Sequence, residues 1–156
     1  MRALGAACIL LVAFMLCRAI AESERRRIRE SEEILALLRA IKAGIACTGR
    51  PLGEIYRGFS SPALTDSGFL SRLAESEDIG IAASVGNLPD GIRSRLVSLS
   101  ASLGRNDRER ERELCDYYIA EIASELPELR REGAMRARSR SVTAAAGSLM
   151  LVLLLI

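Results

Sequence analysis

The residues most able to do chemistry are carboxylates crowded among arginines. Glu22, Glu24, Glu30, Glu32 and Glu33 share one stretch with Arg25, Arg26, Arg27 and Arg29. Asp107, Glu109, Glu111 and Glu113 alternate with Arg108, Arg110 and Arg112. Two carboxylates work as acid and base only when their surroundings push their pKa values apart. Here each run of carboxylates has arginines beside it, the usual composition of a solvated surface. Both runs read as solvated helix faces. Arg108 with Glu111, Glu109 with Arg112, and Arg110 with Glu113 are spaced for three-residue pairs, each worth roughly a few tenths of a kcal/mol.

Other chemistry is excluded by composition. The 156 residues contain no histidine, so no Ser-His-Asp or Cys-His unit and no histidine-bearing metal site can form. Lys42 is the one lysine. Cys8, Cys17, Cys47 and Cys115 include no CxxC pair, which removes support for zinc or thioredoxin-like chemistry. They read as free thiols packing as small apolar residues. There is no GxxxxGK[ST] or GxGxxG loop for nucleotide. The expectation is a protein that is not an enzyme, with no catalytic residues, no cofactor, no metal and no small-molecule substrate.

Nucleic acid is an equally poor fit. Net charge is only +2 and aromatics make up 4% of the chain, so both a broad basic field and stacking platforms are lacking. The basic stretch from Arg130 to Arg140 abuts an apolar end, so anionic lipid is its expected contact.

The two ends set the expected architecture. Ala3 to Cys17 is uncharged and apolar between Arg2 and Arg18. As a helix it covers about 22 Å, short of the ~30 Å hydrocarbon core unless Arg18 snorkels and Ile20 and Ala21 join it. It reads as a membrane anchor over residues 1–21 or as a cleaved signal peptide ending at Ala19-Ile20-Ala21. Val142 to Ile156 is also uncharged and closes in Leu-Met-Leu-Val-Leu-Leu-Leu-Ile, which favours a second anchor over 142–156. Arg25 to Arg27 follow the first run, and five arginines between Arg130 and Arg140 precede the second. The positive-inside bias then puts residues 22–141 in the cytoplasm, where unpaired thiols are expected.

The middle reads as helices. Ile34, Leu37, Leu38, Ile41 and Ile45 form an apolar stripe on a helix running from Glu22 to about Thr48. Gly49 and Pro51 end it and open a short helix carrying Leu52, Ile55, Tyr56 and Phe59. A further helix is expected over about Asp66 to Ala74, and Thr65 falls in a loop. Residues 75–87 are poorly patterned, with Ile79, Ile81 and Val85 hinting at a strand. Leu88, Ile92, Leu96, Leu99 and Leu103 mark another helix, opened by Pro89 and closed by Gly104. Asn106 or Asp107 caps a last long helix with Leu114, Cys115, Tyr118, Ile119, Ile122 and Leu129 on its apolar side. Pro127 is expected to kink it. The fold class is therefore all-α, a small cytosolic helical bundle between N-terminal and C-terminal transmembrane helices.

Two blocks resemble the stage III sporulation protein AB family of endospore-forming bacteria. One comprises Leu103-Gly104-Arg105-Asn106-Asp107-Arg108, the charged helix after it, Gly147 and the Leu-Val-Leu-Leu-Leu-Ile ending. The other is Ile45-Ala46-Cys47-Thr48-Gly49-Arg50-Pro51-Leu52, which looks like the family's Ile-x-Tyr-x-x-x-Pro-Leu segment. The chain departs from the family pattern at Gly44, often Glu there, at Cys47, which replaces Tyr, and at Glu111, which replaces Gln. The resemblance implies a structural and assembly subunit similar to the F-type platform protein of type II secretion systems. Its setting would be the mother-cell membrane, in the channel complex between mother cell and forespore. Its partners would be other channel subunits, including a secretion-type ATPase, and membrane lipid. Pro51, Leu52, Gly104 and Asp107 are the structural or interaction candidates. Helix starts, stops and caps account for the same residue types. The alternative is an exported, tail-anchored helical protein whose residues 1–21 are removed.

Overall fold

The apolar stripes do become helices, and helices account for nearly all the ordered backbone. A computed structural model describes the backbone of residues 2–47 and 51–155 and the side chains of residues 11–46, 51–147 and 150. The Gly49 helix stop, Cys8 and Cys47, and the outer side chains of both apolar ends lie outside the described residues. In chain order the elements are α1 (Arg2–Cys47), α2 (Leu52–Gly58), α3 (Pro62–Asp66), α4 (Phe69–Ser76), α5 (Ile79–Ala82), α6 (Asp90–Ser102) and α7 (Arg108–Leu155). The all-α expectation holds among the described residues. The chain divides into two units, one made of Arg27–Glu128 and the other of Met1–Arg26 with Leu129–Ile156.

The Arg27–Glu128 unit holds the core. Ile34, Leu37, Leu38 and Ile41 of α1 are fully buried, as are Leu64, Phe69, Leu73, Ile92, Leu96, Leu99 and Ile122. Each such side chain contributes roughly 1.5–3 kcal/mol by leaving water. In sequence order the short helices pack as a chain of neighbours, α3 on α4, α4 on α5 and α5 on α6, and α2 also packs on α4. Gly44 permits the tight approach of α2 to α1, since a Cβ there would lie 2.4 Å from Ile55 Cδ1.

Polar contacts tie these layers together. Glu30, 4% exposed, accepts from the Asn87 backbone N–H at 2.9 Å and fixes the loop between α5 and α6 against α1. Lys42 pairs with Asp116 across to α7, and Arg95 of α6 pairs with Glu121 and Glu125.

Several expectations are corrected. Residues 79–82, in the stretch left without a clear pattern, form α5, capped by Asp78, whose Oδ1 accepts from Gly80 N–H at 2.7 Å and Ile81 N–H at 3.1 Å. The helix expected over 66–74 is two helices broken at Gly68, whose φ is 80°. Thr65 lies within α3, which Ser61 caps and Pro62 opens. Helix α7 runs through Pro127 without an assigned break. Leu114, Tyr118 and Ile119 are half-buried, and Leu126 takes a core position instead.

The other unit looks different. Leu11, Val12, Phe14, Met15 and Leu16 are each more than half exposed, although they follow one another around the helix. Its polar contacts include Cys17 Sγ to the Ser141 carbonyl at 3.8 Å and Arg140 to Glu24 at 4.0 Å. No helix among the described residues is long and apolar enough to cross a membrane. The expected spans over 1–21 and 142–156 therefore gain no support from the helices described.

Candidate functional site

The loop between α6 and α7 is built to turn sharply. Leu103 accepts the end of α6 by donating its N–H to the Leu99 carbonyl at 2.9 Å. Gly104 follows with φ 81°, a left-handed conformation that a side chain strains. Asp107 then caps α7. Its Oδ1 accepts from Arg110 N–H at 3.3 Å, and its carbonyl accepts from Glu111 N–H at 3.0 Å. Pro51 stands at the N-cap of α2 with φ −61° and ψ 144°, and its carbonyl accepts from Glu54 N–H at 3.0 Å.

These two turns meet at one cavity of 560 Å³, lined by Ile45, Pro51, Leu52, Gly53, Glu77, Gly104, Asn106, Arg108 and Glu111. Three of the four sequence candidates, Pro51, Leu52 and Gly104, share its wall. A Cβ placed on Gly104 would lie 3.6 Å from Leu52 Cδ1, so the two turns are already in near contact. Asp107 does not line the cavity; it aims the start of α7 at it. Leu52 is half-buried, a wall residue more than a core residue.

Sequence reasoning missed Glu77 and Glu111 as wall residues. Glu77 ends α4 with φ 51°, the one non-glycine among the described residues in the left-handed region, and pairs with Arg57 at 2.6 Å. It sits in the stretch that carried no periodic pattern, and only its strain singles it out. Glu111 is 9% exposed, and its Oε1 has no hydrogen-bond partner among the described residues. The expected Arg108–Glu111 pair is not among the contacts described, whereas Glu109 and Arg112 do meet, at 3.7 Å. Glu111 carried no local signal that set it apart from the other charges on that helix face.

The negative wall marks its neighbours. Burial pushes the Cys115 thiol up to about 11, helped by the charges of Glu111 and Asp116 and opposed by Lys42. Burial also raises the Tyr56 phenol well above its usual range, with Asp78, Cys115, Glu111 and Glu77 adding to it. Neither group is a nucleophile near neutral pH. Cys17 and Cys115 are free thiols. Among the described residues no cluster of three or more metal-ligating side chains occurs.

The arrangement can hold a polar group carried on an apolar stem; it offers no acid–base pair with separated roles. No protein-family profile, curated protein or solved structure matches the chain.

Proposed function

We infer that the chain is a membrane-anchored assembly subunit of the channel complex between mother cell and forespore in sporulation, coupling it to a secretion-type ATPase. The observation that carries this reading is the meeting of the two resembling blocks. Ile45, Pro51 and Leu52 from one, and Gly104, Asn106 and Arg108 from the other, line a single cavity although they lie far apart in the chain. A set of residues picked for likeness to one family, and then found on one surface, favours a common use.

Membrane anchoring rests on the two uncharged ends and on side chains that solvent would reject. Leu11, Val12, Phe14, Met15 and Leu16 are exposed over about half the circumference of α1, more apolar surface than an amphipathic helix presents to water. A helix apolar all round belongs in lipid or in a core. The arginines inward of both ends favour the mother-cell cytoplasmic side for the Arg27–Glu128 unit.

The test is topology followed by capture. Ser84 is exposed in the turn after α5, so Ser84→Cys offers a label site in the full chain. A membrane-impermeant maleimide should label it only after permeabilisation, with the unsubstituted chain as background. The membrane fraction should resist carbonate and co-purify with the secretion-type ATPase. Labelling in intact cells, or a mature chain starting at Glu22, would overturn the reading and leave the exported form.

A further inference from the structure

The cavity has a rim, a wall and a floor of different chemistry. Pro51, Gly104, Asn106 and Arg108 on the rim are exposed, whereas Ile45 is 6% exposed and Glu111 9% exposed below them. Leu52 and Ile45 give an aliphatic wall. The one charge held away from water is the Glu111 carboxylate, whose Oε1 has no hydrogen-bond partner among the described residues. A buried carboxylate oxygen without a donor is costly, and most such groups in folded proteins have a partner. Glu111 itself lines the cavity.

We propose that this cavity receives an arginine side chain of a partner protein, its guanidinium on the Glu111 carboxylate and its methylene stem against Leu52 and Ile45. Arginine suits the site on three counts. Its guanidinium donates to a carboxylate in a planar, charge-assisted pair. Its stem is apolar and covers apolar wall. The Asn106 side chain stands on the rim as a further polar contact. Glu77, the other acidic wall residue, is already held by Arg57, so Glu111 is the acceptor left open. Arg108 shares the rim and repels a second guanidinium. It is exposed, where water and salt weaken that repulsion, while the attraction to Glu111 acts in a less polar interior. The exposed rim gives a polypeptide backbone a place to rest, which argues for a protein-borne arginine over a free one.

The partner's identity rests on the assembly reading above, and the site itself is testable without it. The full chain in detergent micelles would be titrated with N-acetyl-L-argininamide, blocked at both ends as in a polypeptide. Backbone amide resonances of Gly53 and Gly104 report binding. The expected result is a saturable shift, absent with the neutral isostere N-acetyl-L-citrullinamide and weakened about tenfold or more by Glu111→Gln. Equal shifts from the citrulline probe would overturn the proposal, as would undiminished binding to a folded Glu111→Gln variant. Tighter binding of free L-arginine than of the blocked probe would overturn its assignment to a protein partner. If Glu111→Gln fails to fold, the paired arginine and citrulline titrations of the unsubstituted chain decide alone. A failed titration with a cytoplasmic, ATPase-bound chain would sink the pocket and spare the assembly reading; the reverse pattern would do the opposite.

Discussion

The two units spend similar apolar side chains in opposite ways. In Arg27–Glu128, leucines and isoleucines recur at three- and four-residue steps, and Ile34, Leu37, Leu38 and Ile41 fall on one buried face. In Met1–Arg26 with Leu129–Ile156, apolar residues follow one another without a polar face, and Leu11 to Leu16 remain largely exposed. Periodicity, more than hydrophobic content, decides whether a helix makes a core. The first unit should therefore depend on individual side chains, and the second on its surrounding medium.

The sharpest way to break this contrast is to truncate matched residues. Phe69 is 1% exposed and Phe14 is 65% exposed. Phe69→Ala should cost about 3–5 kcal/mol through lost transfer energy and the cavity left behind. Phe14→Ala should change the stability of the Arg27–Glu128 unit by less than about 0.5 kcal/mol. Urea unfolding of the full chain in detergent, followed by hydrogen exchange in each unit, measures both. Comparable losses would mean that exposure does not separate the units.

A second test uses alkali. The folded Cys115 thiol titrates at about 11, above its ordinary value of 9.0. Between those values the unfolded chain gives up this proton and the folded chain keeps it. Stability is thus fully present below pH 9, falls as pH rises, and has lost this share once pH passes the folded value. Two pKa steps correspond to about 3 kcal/mol. Cys115→Ala should flatten the fall without removing it, because the raised Tyr56 phenol acts in the same direction. A slope unaffected by Cys115→Ala would sink this account.

How much of this was legible depended on whether a residue's partner was local. The stripes Ile34 to Ile45 and Leu88 to Leu99 announced buried helix faces, because periodicity is a property of one segment. The Gly104 stop and the Asp107 cap were legible for the same reason, since each acts within a few residues. Ile79, Ile81 and Val85 gave no clear pattern, and the local cap at Asp78, which captures two N–H groups and winds the segment into α5, was overlooked. Distant information was needed elsewhere. Glu111 read as one more charge on a solvated face. Its burial follows from where α2 and the end of α4 lie, which no local pattern in α7 encodes.

A third test asks whether a single polar tie matters to the core unit. Glu30 accepts from Asn87 N–H at 2.9 Å and from its side-chain amide at 3.4 Å. Glu30→Ala should cost about 1–2 kcal/mol, since the backbone donor loses its partner but the exposed loop can recruit water. Hydrogen exchange should speed first at residues 84–88. Exchange that speeds equally in residues 11–26 would show that the units are not energetically distinct.

The smallest expected effects lie in the loop that shapes the cavity, and they separate two roles. Gly104→Ala strains a residue at φ 81° and should cost about 1 kcal/mol. Asp107→Ala removes the side-chain acceptor at the start of α7 and should also cost about 1 kcal/mol. If both residues are only turn and cap, Asp107→Asn and Asp107→Ser should restore most of the loss, because each can accept from the Arg110 N–H. Gly104→Asn should recover part of its loss, since asparagine tolerates the left-handed region better than alanine. Rescue of stability accompanied by rescue of ATPase capture would assign both residues to shaping the loop. Rescue of stability without capture at Gly104→Asn would mean that the added side chain, set beside Leu52, obstructs an occupant of the cavity.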